Sequence, residues 1–520
     1  MNNVRNFLET LGGIETEDRV PRALEITAFV FLALMILFAP HSIAATQTAW
    51  LIGMTAWIIR MFIKPRPTLT LTGVGVSLAA LFAWSVVSSI LSYEPAISLD
   101  KLRGASTFLI FIYAINVIKN RRAVIILAIA LISSCMISAL SAPIQKLMGR
   151  GVEVSGLTAE GTLARLGVVD GDTIVRVDGH KISDPEAVIA ALDNASAVRL
   201  TLYRPDYEFQ IDLSRPSLNT AQNPAAALGF SSWKPGRKFR AAGFYGHYTT
   251  FAEVLQLIGA LAFGLFVSAF TWRAGLRPII ALGLSLGAVA LALLFTVTRA
   301  SQLAFIISST STLVLGASRK FILIAAVIAI PIAAGGLMYL QRERQVGFFD
   351  SKDGSIQWRQ MMWRDGYRLL KESPRHLLVG VGMDSVKARW EEWDFFDKGW
   401  QPMGHFHSTP LQLAVERGIP ALMIWLIVLG LYGRMLWDGL RRSKGTSDWR
   451  SRGILLGCLG SLVGFFVSGL VHYNLGDQEV AMVFFILMAL GVKLAQLPPP
   501  NDLLIADSPI LAQRPTLYKT

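Results

Sequence analysis

Two histidines one residue apart head the stretch of this 520-residue chain whose residue types could best do chemistry. The run is Gly404-His405-Phe-His407-Ser408-Thr-Pro-Leu-Gln-Leu-Ala-Val-Glu416-Arg417-Gly418-Ile-Pro-Ala421, and it leads directly into a long apolar segment. Imidazole titrates near neutrality and is the usual side chain for taking a proton from a hydroxyl. A His-x-His pair also invites a metal, yet no Asp, Glu or Cys converges on it, so no metal and no cofactor are assigned. A metalloprotease helix of the His-Glu-x-x-His type is absent. A single histidine at the end of an apolar segment is otherwise an interfacial hydrogen-bonding residue. Arginines recur near the same class of position: Arg240, Arg299, Arg359 and Arg364. Ser355 to Glu372 has helical periodicity, with Trp363, Tyr367 and Leu370 on one stripe and Pro374 ending it. Within that helix Arg359 and Arg364 point about 140° apart, so both cannot face one ligand. The turn Gly380-Val-Gly382-Met-Asp384 is too short and wrongly placed for a nucleotide-binding strand and helix.

The elements that must hold these residues are membrane spans. Hydrophobic residues make up 53% of the chain and charged residues only 16%, with a mean hydropathy of +0.47, against about 25% charged in soluble domains. The net charge of +13 is explained by basic cytoplasmic loops rather than by a nucleic-acid partner. Cys135 and Cys458 both sit in apolar runs, which excludes a disulfide framework and a cysteine zinc site. Twelve segments approach the length of a span: 24–40, 45–64, 70–92, 104–118, 123–142, 248–270, 277–297, 301–317, 320–340, 409–433, 453–472 and 477–496. Segment 104–118 is short and 301–317 is rich in Ser and Thr. The first segment follows an acidic lead and reads as a span, not as a removed signal. With both termini cytoplasmic, every inner loop is basic, from Lys64-Pro-Arg66 and Lys119-Asn-Arg121-Arg122 to Arg434–Arg452. Residues 498–520 read as a cytoplasmic tail. Two segments too polar to span, 143–240 and 341–407, then fall on the outer face, which in a bacterium is the periplasmic side of the inner membrane.

The first of these segments contains alternating strands at Val152-Glu-Val154, Thr173–Val177, Val198–Tyr203 and Phe209–Leu213. Asp178-Gly179 marks a hairpin, and Asp184-Pro185 opens a helix. Gly161-Thr-Leu-Ala-Arg-Leu-Gly167 followed by Asp170-Gly171-Asp172 and Asp178-Gly179 resembles a bacterial-type PDZ domain. That resemblance implies a peptide or protein ligand taken by strand addition, with Gly149, Arg150, Gly151 and Val152 standing where the carboxylate-binding loop would lie. A rigid spacer, or a dock against the membrane helices, is the alternative.

The run at His407 resembles the O-antigen ligase and polymerase superfamily of integral-membrane glycan transferases. His407-Ser408, nine residues and Gly418 match the family pattern of His, then Asn, Ser or Gln, nine residues and Gly, while Ala421 stands where a second Gly is usual. Arg240 through His247, Thr296 through Ser301, and Trp358-Arg359 through Gly382 resemble further family blocks in family order. The resemblance implies an all-α polytopic membrane protein of about twelve transmembrane helices, GT-C-like, carrying an inserted small α+β PDZ-like domain. The organisation is then spans one to five in 1–142, the insert and its linker in 143–235, spans six to nine in 236–340, a large periplasmic loop in 341–407, spans ten to twelve in 408–497 and the tail in 498–520. The implied reaction is inverting, metal-independent transfer of a glycan from an undecaprenyl-diphosphate-linked donor to an acceptor hydroxyl. His407 is the implied base, and Arg299 and Arg359 hold the diphosphate, with Arg364 and Arg240 as further candidates. The acceptor is lipid A core, another glycan repeat or a protein hydroxyl, giving ligase, polymerase and protein-glycosylation readings that share one chemistry. A secondary transporter of an anionic substrate is the more distant alternative, and membrane lipid surrounds the chain in every case.

Overall fold

The computed structural model describes residues 2–204, 207–215, 223–324, 354–399, 404–443 and 448–498, with scattered residues between 327 and 341. Before the insert the helices are α1 (Asn2–Gly12), α2 (Arg19–Phe38), α3 (Ile43–Phe62), α4 (Gly73–Ile90), α5 (Pro95–Ala105), α6 (Leu109–Val117) and α7 (Arg121–Met148). The insert carries α8 (Thr162–Arg165), α9 (Glu186–Asn194) and α10 (Pro224–Leu228). After it come α11 (Tyr248–Thr271), α12 (Leu276–Thr296), α13 (Arg299–Gly316), α14 (Gly354–Glu372), α15 (Pro374–Val379), α16 (Ser385–Ala388), α17 (Phe396–Gly399), α18 (Thr409–Arg442), α19 (Trp449–Gly469) and α20 (Gln478–Gln496).

Among the described residues eight helices are long and apolar enough to cross a membrane: α2, α4, α7, α11, α12, α18, α19 and α20. The chain is a mostly helical, multi-pass membrane protein. The other four expected spans behave differently. Segment 45–64 forms α3, a helix that carries Thr46, Gln47, Thr55 and Arg60. Segment 104–118 is divided between the end of α5, a 3-10 turn and the nine-residue α6. Segment 301–317 forms the Ser- and Thr-rich α13, and 320–340 lies largely outside the described residues, as does the tail beyond Pro498.

Burial sorts these helices by position. The apolar stretch of α20 is 83% buried, as expected of a helix that is hydrophobic all round and sits at the axis of the bundle. That of α12 is only 22% buried and presents Leu276, Ile280 and Leu284 outward, the pattern of a lipid-facing helix. The tightest crossing joins α11 to α19, where Gly264 faces Gly453 and Gly457. A Cβ on Gly264 would lie 2.1 Å from the Gly457 nitrogen. Small residues four apart bring backbones together in lipid, where helix association depends on close packing.

The insert is a second core. Helix α7 continues through Pro143 to Met148, six residues past the boundary expected from hydropathy, and β1 (Arg150–Leu157) follows at once. Strands β2 (Thr173–Val177), β3 (His180–Lys181), β4 (Ala197–Arg204), β5 (Tyr207–Ser214) and β6 (Phe230–Gly236) complete an antiparallel sheet of order β5-β4-β2-β1-β6, with β3 on β2. The four expected strands and the Asp178-Gly179 turn are present, both turn residues having positive φ. β6 was not legible in the sequence. It contains Pro235 and two serines, a composition confined to sheet edges, and it is an edge strand.

A third core forms where α14 to α17 fold onto the start of α18. Met362, Leu369, Phe395, Phe406, Leu411 and Val415 are buried together. The helix expected over 355–372 is α14, and Ser373 caps the next helix with Pro374 in its first turn. Its buried stripe differs from the expected one. Met362, Gly366 and Leu369 face inward beside Leu370, whereas Tyr367 is 55% exposed.

Candidate functional site

His407 is held by its neighbours on both sides. Ser408 caps α18 by accepting from the Leu411 amide, and Pro410 fills the first turn. Just before it, the backbone of the fully buried Phe406 is clamped: its amide donates to Gln412 Oε1 at 2.8 Å, and its carbonyl accepts from Trp363 Nε1 at 2.9 Å. Between these anchors His407 adopts φ 47°, a left-handed conformation that costs energy in a non-glycine residue and persists only when the surroundings enforce it.

The motif's Gly418 has a separate task. At φ 80° it breaks α18, and a Cβ there would lie 2.0 Å from the Leu378 carbonyl oxygen. Pro420 has no amide to offer the preceding turn, so carbonyls freed at the break need other donors. Val381 and Gly382 donate their amides to Val415 and Glu416, Ser88 Oγ donates to Glu416, and Trp84 Nε1 donates to the Arg417 carbonyl. The Gly380-Val-Gly382 turn is thus a plug for the broken helix. Ala421 is fully buried.

Four of the seven histidines meet at this end of the bundle. The ring centroid of His407 is 4.2 Å from His405 and 6.5 Å from His472, with Trp358 edge-on at 5.2 Å. His405 stands 5.8 Å from Tyr473, and its Nδ1 accepts from the His407 amide at 3.1 Å. His247, the cap of α11, lies within electrostatic reach of the other three. The turn bearing His472 is hooked to α18, since Thr409 donates both its amide and its hydroxyl to the His472 carbonyl and its hydroxyl also pairs with Asn474.

Burial dominates the electrostatics of these rings. It pushes the His407 pKa down to about 3, with His405, Arg359 and His247 adding to the effect. His405, His472 and His247 are lowered for the same first reason. All four are therefore neutral near pH 7 and able to accept a proton. Nδ1 of His407 is buried without a hydrogen-bond partner among the described residues. Among the described residues these rings are not arranged as a group of three or more that could hold one metal ion.

The candidate arginines separate by location. Arg359, half-buried on α14, lowers the pKa of His405, His407 and His472 and so shares their site. Arg364, five residues on, is exposed on a different face, as the helical angle requires. Arg240 stacks on Tyr248 at 4.6 Å beside His247. Arg299 is the first residue of α13 and half-buried. In the insert, Gly149, Arg150, Gly151 and Val152, expected as a carboxylate loop, stand at the junction of α7 and β1. Gly149 joins α7 to β1, and Arg150 to Val152 lie in an interior strand: Val152 pairs with Ile174 on β2 and with Pro235 on β6, while Arg150 pairs with Gly236. At Val152 the strand is paired on both sides. The unpaired edge beside it is β6, whose residues Ser231 to Pro235 are exposed.

The sequence singles out His407 and places His247 only within a block resembling the ligase family, and nothing in the spacing of His247, His407 and His472 links three segments so far apart in the chain. A stretch of 121 residues is 31% identical to the exopolysaccharide production protein ExoQ of Rhizobium meliloti (strain 1021), covering 22% of this chain and 26% of that protein. Residues 282–426, which hold Arg299, Arg359, Arg364, His407 and Gly418, match the O-antigen ligase family.

Proposed function

We propose that the protein transfers a glycan in polysaccharide synthesis, from an undecaprenyl-diphosphate-linked donor to an acceptor hydroxyl, at the periplasmic face of a bacterial inner membrane. The observation that carries this reading is the O-antigen ligase match over residues 282–426, which hold His405, His407 and Arg359 of the cluster. In the reaction the acceptor oxygen bonds to the anomeric carbon, the bond from that carbon to the diphosphate oxygen breaks with inversion, and the acceptor proton passes to His407. Charge gathering on the departing diphosphate is balanced by Arg359 and Arg299, with Arg240 at the edge of the site; Arg364 faces away. An imidazole with a pKa of about 3 is a weak base. An anionic donor beside Arg359 offsets one of the lesser causes of that depression, burial being the largest.

The orientation in this reading has both termini cytoplasmic and twelve spans, with the helices near His407 facing the periplasm. The α+β insert is read as a PDZ-like module whose peptide edge is β6. Its role is to bring a protein partner, and it contributes nothing to the chemistry.

For the acceptor, lipid A core and a second carrier-linked repeat share the same chemistry, and the resemblance to an exopolysaccharide production protein favours the polymerase form. The glycan profile of a deletion strain tests both. Loss of secreted polymer supports the polymerase form, loss of glycan from lipopolysaccharide supports the ligase form, and unchanged lipopolysaccharide, polymer and glycoprotein together would refute the proposal.

A further inference from the structure

A cavity of about 700 Å³ opens between α3, α4, α5, α18 and the turn before α20. Its walls are apolar where they enter the bundle, with Trp50, Leu78, Leu81 and Phe82, and one cation is buried in them, Arg417. The residue is 6% exposed. Its guanidinium reaches Ser85 Oγ and Tyr473 Oη, both at 3.3 Å, and its Nε has no hydrogen-bond partner among the described residues.

The other charges of the cavity are matched. Lys101 pairs with Asp384 at 2.7 Å and Arg103 with Asp100 at 2.6 Å. The neighbouring Glu416 feels the Arg417 charge, yet its carboxylate accepts from the Asp384 amide, and among the described residues no carboxylate lies within ion-pair distance of Arg417. A buried guanidinium served only by two long hydroxyl contacts is strongly disfavoured. Its charge and forked donors suit a phosphate oxygen. The apolar walls around it suit hydrocarbon.

We propose that this cavity binds the phosphate headgroup of a lipid, with the guanidinium of Arg417 on the phosphate and the chain along Trp50, Leu78 and Leu81. The site is separate from that of His407: Tyr473 stands between them, its hydroxyl on Arg417 and its ring 5.8 Å from His405. The inference stands apart from the identity of the base, because binding can be read without transfer.

The test uses the full chain in nanodiscs of zwitterionic lipid, with binding of dodecyl phosphate read by native mass spectrometry. Dodecyl phosphate should bind roughly tenfold or more tightly than either dodecanol or inorganic phosphate, and Arg417→Ala should remove roughly that advantage. Arg417→Lys should recover part of it, having the charge without the fork. Should Arg417→Ala not yield folded protein, Leu51→Trp supplies the second probe: the position lines the cavity but is 58% exposed, so the larger ring narrows the wall without disturbing the core, and weaker binding is expected. Competition by phosphatidylglycerol would support a lipid-phosphate site filled by bulk membrane lipid, and its absence would support one that selects a single-chain phosphate. Inorganic phosphate binding as tightly as dodecyl phosphate would overturn the proposal, as would dodecyl phosphate binding unaltered by both Arg417→Ala and Leu51→Trp.

Discussion

The two ends of the helical bundle treat their most buried arginine differently. At the end holding the start of α2 and the end of α3, cations are answered by carboxylates: Arg22 by Glu9, Arg60 and Lys119 by Glu25, and Arg121 by Asp448. At the other end four histidines gather with Arg359, burial keeps them neutral, and Arg417 is answered by hydroxyls. A buried ion pair is satisfied by the fold and has nothing left to offer a ligand. A neutral histidine keeps a lone pair that can take a proton. The contrast separates residues that hold the bundle from residues available for chemistry, although both ends are rich in basic side chains in the sequence.

The largest expected effect tests the paired end. Arg60 is 4% exposed against Glu25 at 10%, so Arg60→Met leaves a buried carboxylate short of a partner. It should cost about 3–5 kcal/mol of stability, seen as a lower melting temperature, while transfer per folded molecule is unchanged. A specific loss of transfer would break the comparison. Gly418→Ala should come next, through a Cβ that collides with Leu378 and a positive φ, at about 3 kcal/mol or more. Because the plug also positions the start of α18, transfer should fall with the melting temperature.

Smaller effects sharpen the division within the histidine end. Arg359→Ala should weaken donor binding roughly ten- to a hundredfold, by the loss of charge-assisted bonds of about 1.5–3 kcal/mol, whereas the exposed Arg364→Ala should change it little. Equal effects would show that the helical face of α14 does not select between them. The histidines also predict an acid limit. Their folded pKa values lie below the unfolded value near 6.5, so the stability they contribute is complete above pH about 6.5 and is lost as pH falls toward the folded value of about 3 for His407. Melting temperatures should decline across that window, and His407→Gln should flatten the decline. Removing 150–236 and joining α7 to the segment before α11 with a flexible linker should have the least effect on the membrane helices, since the insert has its own core. Complete loss of basal transfer in a well-expressed deletion would place the insert in the catalytic unit.

Much of the fold was legible because membrane spans and amphipathic strands carry strong local patterns. The eight apolar helices, the Thr173–Val177 strand and the break at Pro374 each follow from a run of residues. What was not legible depends on contacts distant in sequence. His247, His405 and His472 come from three separate segments, and no spacing announces that they meet. That Glu416, the neighbour of Arg417, gives its carboxylate to the Asp384 amide depends on a contact 32 residues away in the chain. The interior position of Arg150 to Val152 likewise depends on β6, a strand whose own residues carry little strand signal.

The central claim is that His407 takes the acceptor's proton while the nearby arginines hold the donor. It is tested most directly by measuring donor binding and single-turnover transfer in parallel for His407→Ala in purified, folded protein. The account predicts that donor affinity stays close to that of the natural chain while transfer falls by about 10²–10⁴-fold, and that a chelator changes neither. Transfer at near the natural rate in His407→Ala, or transfer abolished by a chelator and restored by a divalent metal, would contradict it.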